Sequence, residues 1–500
     1  METPVRLVLV FVVDGLRPDS IGPTDTPTLC RLRAEGVDFL DSHAVFPTVT
    51  RVNATALVTG LQPGSSGIVG NQMYVPAVEP TRAFGTDDHR RLLALDRASD
   101  GRLVQGRTLA EHLHASGHRL AAVSSGSTGS ALLTNPRAPA GIGALVNGYL
   151  EPGARVAWPD EVSEAILAKF GPAPPKGGGA ARYDAAVAWT QRVLREYVLP
   201  ELRPTVVVNW LTEPDHSQHH QGVGSPAARA ALQSDDREIA EVLAAVDGLG
   251  LTTSTSVVVT SDHGFSTNTA GIDVATELIA AGLKASPAST DVVLASSGQA
   301  VALHVADHDA GRVARLAAFV QSQTWGGVVF TRGVAAGDPR GTAEGTFALE
   351  LINAVNAERG ADLLFTFPWT SEPNAFGVPG TDLANVTAGG TPLPSDHGSM
   401  SPWNVRNTLI GWGAGFKSGV RVPAPAGTVD VTPTILALLG VEARDGLDGR
   451  ILSEALAGGP DPERVEVETR VHTVTAGAYR AAIQVSVVEG RRYVDKSWRI

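Results

Sequence analysis

The chain has 500 residues, 43% of them hydrophobic, which is enough to bury a large core. A net charge of −12 and a pI near 5.6 argue against a nucleic-acid-binding surface, which needs a basic field. They leave room for a small anionic substrate, because bound cations would dominate the local field. The single cysteine, Cys30, rules out an intrachain disulfide and fits a reducing compartment.

Leu7–Val13 is a continuous apolar run, too short to span a bilayer. It has neither a basic lead nor a small-residue cleavage site, and it ends directly on Asp14. It reads as a buried strand. No later stretch is apolar for long enough to span a membrane, so the chain as it stands is expected in the cytoplasm, or outside the cell if an export signal precedes it. Thr50–Thr59 reads as a helix closed by Gly60, which places Thr50 at the positive, N–H-rich end. Leu120–Val123, Val206–Trp210 and Val257–Thr260 are further buried strands, and Asp184–Val198 and Ala227–Val246 carry apolar residues at helical spacing. Gly171–Gly179, rich in Pro and Gly, reads as a surface loop.

Apolar strands alternating with helices predict an α/β fold with a mostly parallel sheet covered on both faces. Residues 291–392 hold a strand (Ala300–Val305), a helix (Ala310–Gln321) and a second strand (Gly327–Thr331), and read as a small α+β cap inserted into a main domain of residues 1–290 and 393–458. Residues 459–500 look strand-rich, with Val465–Val474 and Ala481–Val488 as an edge hairpin packed on the core.

The carboxylates and histidines fall where these strands end. Asp14 follows the first strand. Asp215 lies just past Val206–Trp210, with His219 four residues on. Asp262 and His263 follow Val257–Thr260, and His397 sits in Ser395-Asp396-His397-Gly398. Ligand sites in open α/β sheets form at the carboxyl ends of strands. Carboxylate plus imidazole suits zinc, and also manganese or iron. Taken singly, each piece has a plainer reading, since an Asp after a strand is often a helix cap and Asp-His-Gly often a turn. Their convergence on one sheet edge carries the weight. His216, His220, His304 and His308 are read as non-ligands.

The ordered motifs resemble the alkaline phosphatase superfamily, and within it the type I phosphodiesterase/nucleotide pyrophosphatase family. They are V-V-D-G-L-R-P-D at Val12–Asp19, F-P-T-x-T at Phe46–Thr50 and L-V-T-G-L-x-P-x-x-x-G-I-x-x-N at Leu57–Asn71. E-P-D-x-x-x-H follows at Glu213–His219, T-S-D-H-G at Thr260–Gly264, D-H-G at Asp396–Gly398 and V-D-V-T-P-T-I-L-A-L-L-G at Val429–Gly440. The resemblance spans most of the chain and implies an alkaline-phosphatase-like three-layer fold. It also implies two divalent metal ions, one held by Asp215, His219 and His397, the other by Asp14, Asp262, His263 and the Thr50 hydroxyl. Thr50 would be the nucleophile of a phosphate ester hydrolase working through a phosphothreonine. Asn71, 21 residues further on, would donate to a phosphate oxygen. A metal-bound hydroxyl is a usable nucleophile near neutral pH, which a free one is not.

The branch follows from what surrounds Thr50. Sulfatases of the superfamily use a modified Cys or Ser at this position, and Cys30 lies outside the motif. Monoesterases with a threonine nucleophile set a Lys and an Arg against the extra phosphate charge, but the corresponding stretch, Val123–Ser130, holds no cation. A diester or pyrophosphate substrate is therefore expected. Nucleotide-cleaving relatives commonly carry an aromatic residue after the nucleophile. Here it is Arg51, which reads either as a substrate contact, opening monoester or phosphonate hydrolysis as the alternative, or as a solvated helix-face residue. A degenerate, non-catalytic binding protein would have lost a ligand, and none of the expected set is missing.

Overall fold

The computed structural model describes residues 4–149, 154–175, 177, 179 and 181–500; residues 176 and 178 of the expected Gly171–Gly179 loop lie outside these. A nine-stranded sheet carries the site. Five strands run parallel at its centre: β1 (Leu7–Val13), β2 (Leu120–Ser124), β3 (Ala144–Asn147), β4 (Val206–Leu211) and β5 (Thr255–Thr260), in the spatial order β5-β1-β4-β2-β3. Beyond β5 the antiparallel strand Leu409–Gly413 leads to Val37–Phe39 and Val420–Val422, and Ala157–Trp158 closes the other edge.

β1 is apolar at every position because its alternate residues serve two cores. Val8, Val10 and Val12 join one apolar layer with Ala54, Leu57 and Val58. Leu7, Leu9, Phe11 and Val13 join the other, with Leu29, Leu32, Ile239 and Val242. The result is the three-layer α/β/α arrangement. β1 lies between β4 and β5, with Val13 beside Leu211 and Val12 beside Thr260. The three strands thus end level, and the residues after them share one rim.

Helix α1 (Thr50–Thr59) ends on Gly60 at φ 67°, whose N–H reaches Ala56 O at 2.8 Å. Fully buried Asn53 clamps the preceding loop onto it. Its Oδ1 accepts from Val45 N (2.8 Å) and from Thr428 Oγ1 (2.9 Å), and its Nδ2 donates to Val45 O (3.1 Å) and Val49 O (3.2 Å). Helix α2 (Thr128–Thr134) is capped by the Ser127 hydroxyl, and helix α3 (Asp215–Gln221) follows β4. The segment expected as one helix over Asp184–Val198 is α-helical to Val193 and then widens into a π-helical turn, Leu194–Leu202, that accommodates Pro200.

A five-stranded sheet occupies the segment between residues 291 and 392, in the order Val292–Ser297, Ala300–Val305, Leu363–Thr366, Val329–Thr331, Phe347–Ala348. Helix Ala310–Ser322 packs on it through Val313, Leu316, Ala317 and Val320. Pro379–Asn385 pairs instead with Ser266–Ile272, just past β5, in a separate four-stranded sheet that ties this segment to the chain leaving β5. The tail forms three antiparallel strands rather than a hairpin: Glu468–Ala476, Tyr479–Val488 and Arg491–Arg499. The third reads as polar in sequence, yet Tyr493, Val494 and Ser497 are buried. Val474, Ile483, Val485 and Val494 pack with Phe46, Phe330 and Phe347. Among the described residues no helix is long and apolar enough to cross a membrane.

Candidate active site

The sheet rim brings the sequence-predicted residues together. Asp14 follows β1, and its carbonyl accepts from Asp215 N at 3.1 Å, which pins the start of α3 beside it. Asp215 and His219, one turn apart on α3, meet His397: Asp215 Oδ1 lies 3.3 Å from His219 Nε2 and 3.5 Å from His397 Nε2. Next to them, His263 Nε2 lies 3.1 Å from Asp262 Oδ2, 3.6 Å from Asp14 Oδ1 and 3.4 Å from Thr50 Oγ1. The donor atoms of Asp215, His219 and His397 lie within 4.8 Å of one another, as do those of Asp14, Asp215 and His263. Asp215 therefore stands between the two sets. The rings of His263 and His397 stack at 3.5 Å.

Two features fit these residues to cations. First, each imidazole is tied through Nδ1 to a main-chain carbonyl: His219 to Ser395 O (3.1 Å), His397 to Thr48 O (3.0 Å) and His263 to Gly264 O (2.9 Å). That tie places the proton on Nδ1 and turns the Nε2 lone pair inward, the arrangement of a metal-ligating histidine. Second, Asp14 Oδ1, Asp215 Oδ1 and Asp262 Oδ2 are buried and accept no hydrogen bond, whereas Asp14 Oδ2 takes Trp210 Nε1 (2.9 Å) and Asp262 Oδ1 takes Gly15 N (3.1 Å). An unsatisfied buried carboxylate oxygen is costly, and three facing one another more so. Burial, then the Asp262 and Asp215 charges, drives the Asp14 carboxyl well above its usual range. A positive charge among them reconciles the set.

Thr50 is the first residue of α1 and does not cap it. The N-cap position falls on Val49, and no side chain caps the helix. The Thr50 hydroxyl is thus free of the helix and faces the histidines. Arg51 N donates to Asn71 Oδ1 at 3.2 Å, which leaves the Asn71 Nδ2 hydrogens for the cleft. Arg51 is not a solvated helix-face residue. Its guanidinium lines the same cleft of about 430 Å³ and donates from Nη2 to Ser127 Oγ at 3.2 Å, while its Nε is buried without a partner.

The cleft has a wall that the sequence motifs do not announce. Tyr149, Tyr183 and His216 line it. The two tyrosine hydroxyls lie 3.0 Å apart, and the Tyr183 ring meets His216 edge-on at 4.0 Å between centroids. Tyr149 and Tyr183 lie outside regular elements, and His216 sits on α3 at an unspecified position of the Glu213–His219 motif; the three come together only through the fold. Glu213 ties the wall to α3, accepting from Tyr183 N (2.9 Å) and Ser217 N (3.1 Å). His216, His220, His304 and His308 join neither ligand set.

The profile of the family described as type I phosphodiesterase/nucleotide pyrophosphatase matches residues 8–323. Ectonucleotide pyrophosphatase/phosphodiesterase family member 1 of Mus musculus is 24% identical over 261 residues, 51% of this chain and 24% of the relative. Bis(5'-adenosyl)-triphosphatase of Xenopus laevis is 41% identical over 73 residues, 15% of this chain and 16% of the relative. The chain thus spans a quarter or less of the length of these curated relatives. Among solved structures, murine ectonucleotide pyrophosphatase/phosphodiesterase 5, an inactive variant in complex with AMP, superposes with a TM-score of 0.61 at 16% identity, covering 90% of this chain and 100% of that one. The shared fold is alkaline-phosphatase-like.

Proposed function

Because the chain belongs to the type I phosphodiesterase/nucleotide pyrophosphatase family, we propose that it hydrolyses phosphodiester or phosphoanhydride bonds through a phosphothreonine on Thr50. The observation that carries this reading is the Thr50 hydroxyl: it is released from helix capping and lies 3.4 Å from His263 Nε2, where the two carboxylate–imidazole sets meet. Asp215, His219 and His397 would hold one divalent cation and Asp14, Asp262, His263 and Thr50 a second, zinc fitting the donors best and manganese or iron also suiting them. Bound there, the cations would make the hydroxyl acidic and offset charge on the phosphoryl group.

Thr50 Oγ1 forms its bond to phosphorus as the bond to the leaving oxygen breaks, and the leaving group departs with a proton. Water then opens the phosphothreonine and returns a proton to Thr50. Asn71, held by the Arg51 N–H, donates from Nδ2 to a non-bridging oxygen. The α1 N-terminus favours the anion in the same place. The Tyr149–Tyr183–His216 wall offers aromatic contacts to a ring on the substrate.

A diester is favoured because Val123–Ser130 supplies hydroxyls and no cation, and a diester brings less charge than a monoester. Arg51 supports a second reading, monoester or phosphonate hydrolysis, since its guanidinium reaches Ser127 beside the cleft. The two part in kcat/KM for bis-p-nitrophenyl phosphate against p-nitrophenyl phosphate on metal-replete enzyme. The diesterase reading expects a preference for the diester, with Arg51→Ala affecting both substrates alike. A clear monoester preference that Arg51→Ala abolishes moves the protein to the monoesterase branch, because a charge-assisted bond is worth about 1.5–3 kcal/mol.

A further inference from the structure

A second cleft, of about 560 Å³, lies where the tail sheet meets residues 62–65 and 350–355, and it shares no residue with the candidate active site. Three arginines line it: Arg470, Arg491 and Arg492. Arg470 pairs in register with Val485 and Arg492 with Val487. Where this face of the sheet packs inward it is apolar, through Val474, Ile483, Val485 and Val494. Where it overhangs the cleft it becomes cationic.

Two of the three cations, Arg491 and Arg492, are held by neutral acceptors alone among the described residues. Arg492 donates to Glu350 O (2.7 Å) and Asn353 Oδ1 (2.9 Å), and Arg491 to Leu447 O (3.2 Å). Neither has a carboxylate partner among the described residues. Arg470 makes a bidentate pair with Glu468 on its own strand (2.7 and 2.6 Å), with both side chains half in solvent. The two carboxylates of the wall are engaged by main-chain donors: Asp448 Oδ2 accepts from Gln62 N (2.7 Å) and Glu350 Oε2 from Gly333 N (2.8 Å). Burial and the facing Arg470 charge lower the Arg492 pKa, and burial with both arginines lowers that of His472.

We propose that this cleft is a second ligand site, for a small molecule carrying a phosphate group. The planar guanidiniums would take the phosphate oxygens, a geometry that arginine matches better than lysine. Ser65 and Asn353, across the cleft, supply neutral polar contacts to the rest. Residues 62–66 follow directly on the Gly60 cap of α1, and Gly64 N is bonded to Asn353 O (2.9 Å), so an occupant joins the tail sheet to the helix that carries Thr50.

Inorganic phosphate is the probe, titrated into metal-replete holoenzyme by calorimetry, with its competitive inhibition of aryl ester hydrolysis measured in parallel. Arg470 and Arg491 are exposed, so Arg470→Gln/Arg491→Gln should fold normally. Wild type should show two classes of site. The double variant should lose the second class or bind there about tenfold more weakly, with inhibition unchanged. Ser65→Asp, which adds an anion from the opposite wall at an exposed position, should weaken the same class. A single class in wild type, or a second class untouched by both variants, overturns the proposal.

Discussion

Replacing Thr50 with Ala separates the proposed chemistry from the fold. The residue is 6% exposed and makes no capping bond, and its hydroxyl lies 3.4 Å from His263 Nε2. The fold therefore loses little beyond the burial of one methyl group, about 1 kcal/mol. In a chain of this size that moves Tm by roughly 2 °C or less. Turnover should behave quite differently, because on the proposed route the hydroxyl is the bond-forming atom: kcat should fall by roughly 10³-fold or more. Thr50→Ser, which keeps the hydroxyl and loses the methyl, should retain measurable activity. The assay is p-nitrophenolate release from bis-p-nitrophenyl phosphate with metal-replete enzyme, paired with a thermal melt of each variant. If Thr50→Ala turns over within about tenfold of wild type, water attacks phosphorus directly and the phosphothreonine route is wrong.

Asp262→Asn and His397→Ala should each lower bound metal by about one ion per chain, read by elemental analysis, with activity falling in step; full activity in a metal-free preparation would refute the two-cation reading. Asn53→Ala removes four hydrogen bonds at a fully buried position. At about 1 kcal/mol each, that should cost roughly 3–4 kcal/mol in urea unfolding, and a loss under about 1 kcal/mol would show that the loop is held elsewhere. His43 gives a pH signature. Burial opposes its charge, but Asp495 and Asp41 raise its pKa above the ordinary 6.5. The folded value exceeds the unfolded one, so this stabilisation is complete below pH 6.5 and is lost as pH rises through the folded value. The Tm gap between wild type and Asp495→Asn should narrow on the alkaline side; a gap independent of pH would contradict the ion pair.

The parts of the molecule legible in the sequence are those fixed by local rules. β1 and α1 have the ends that their residues foretell, because a two-sided core demands an unbroken apolar strand and Gly60 adopts the left-handed cap. Asp14, Asp215, Asp262 and His263 are legible as candidates because they lie just past strand ends, and strand ends are visible in hydropathy. The tail's third strand was not legible: Arg491, Arg492 and Lys496 disguise a segment whose Tyr493 and Val494 are buried by the neighbouring strand and the main domain. Arg51 was ambiguous because its environment depends on Ser127, 76 residues away. The aromatic wall was invisible, since Tyr149 and Tyr183 belong to no periodic element.

The sheet's strand order also bears on how the protein is made. β1 leaves the ribosome first, but both of its partners lie far downstream, Val206 onward for β4 and Thr255 onward for β5. At about 5–20 residues per second, synthesis of the intervening segment takes on the order of 10–40 s. Throughout that interval Leu-Val-Leu-Val-Phe-Val-Val is an unpaired apolar strand on a nascent chain, prone to pair with other copies. Slower growth, lower temperature or co-expressed chaperone should therefore govern the yield of soluble protein more than any substitution at the rim, because the most vulnerable moment in this protein's life precedes the formation of its site.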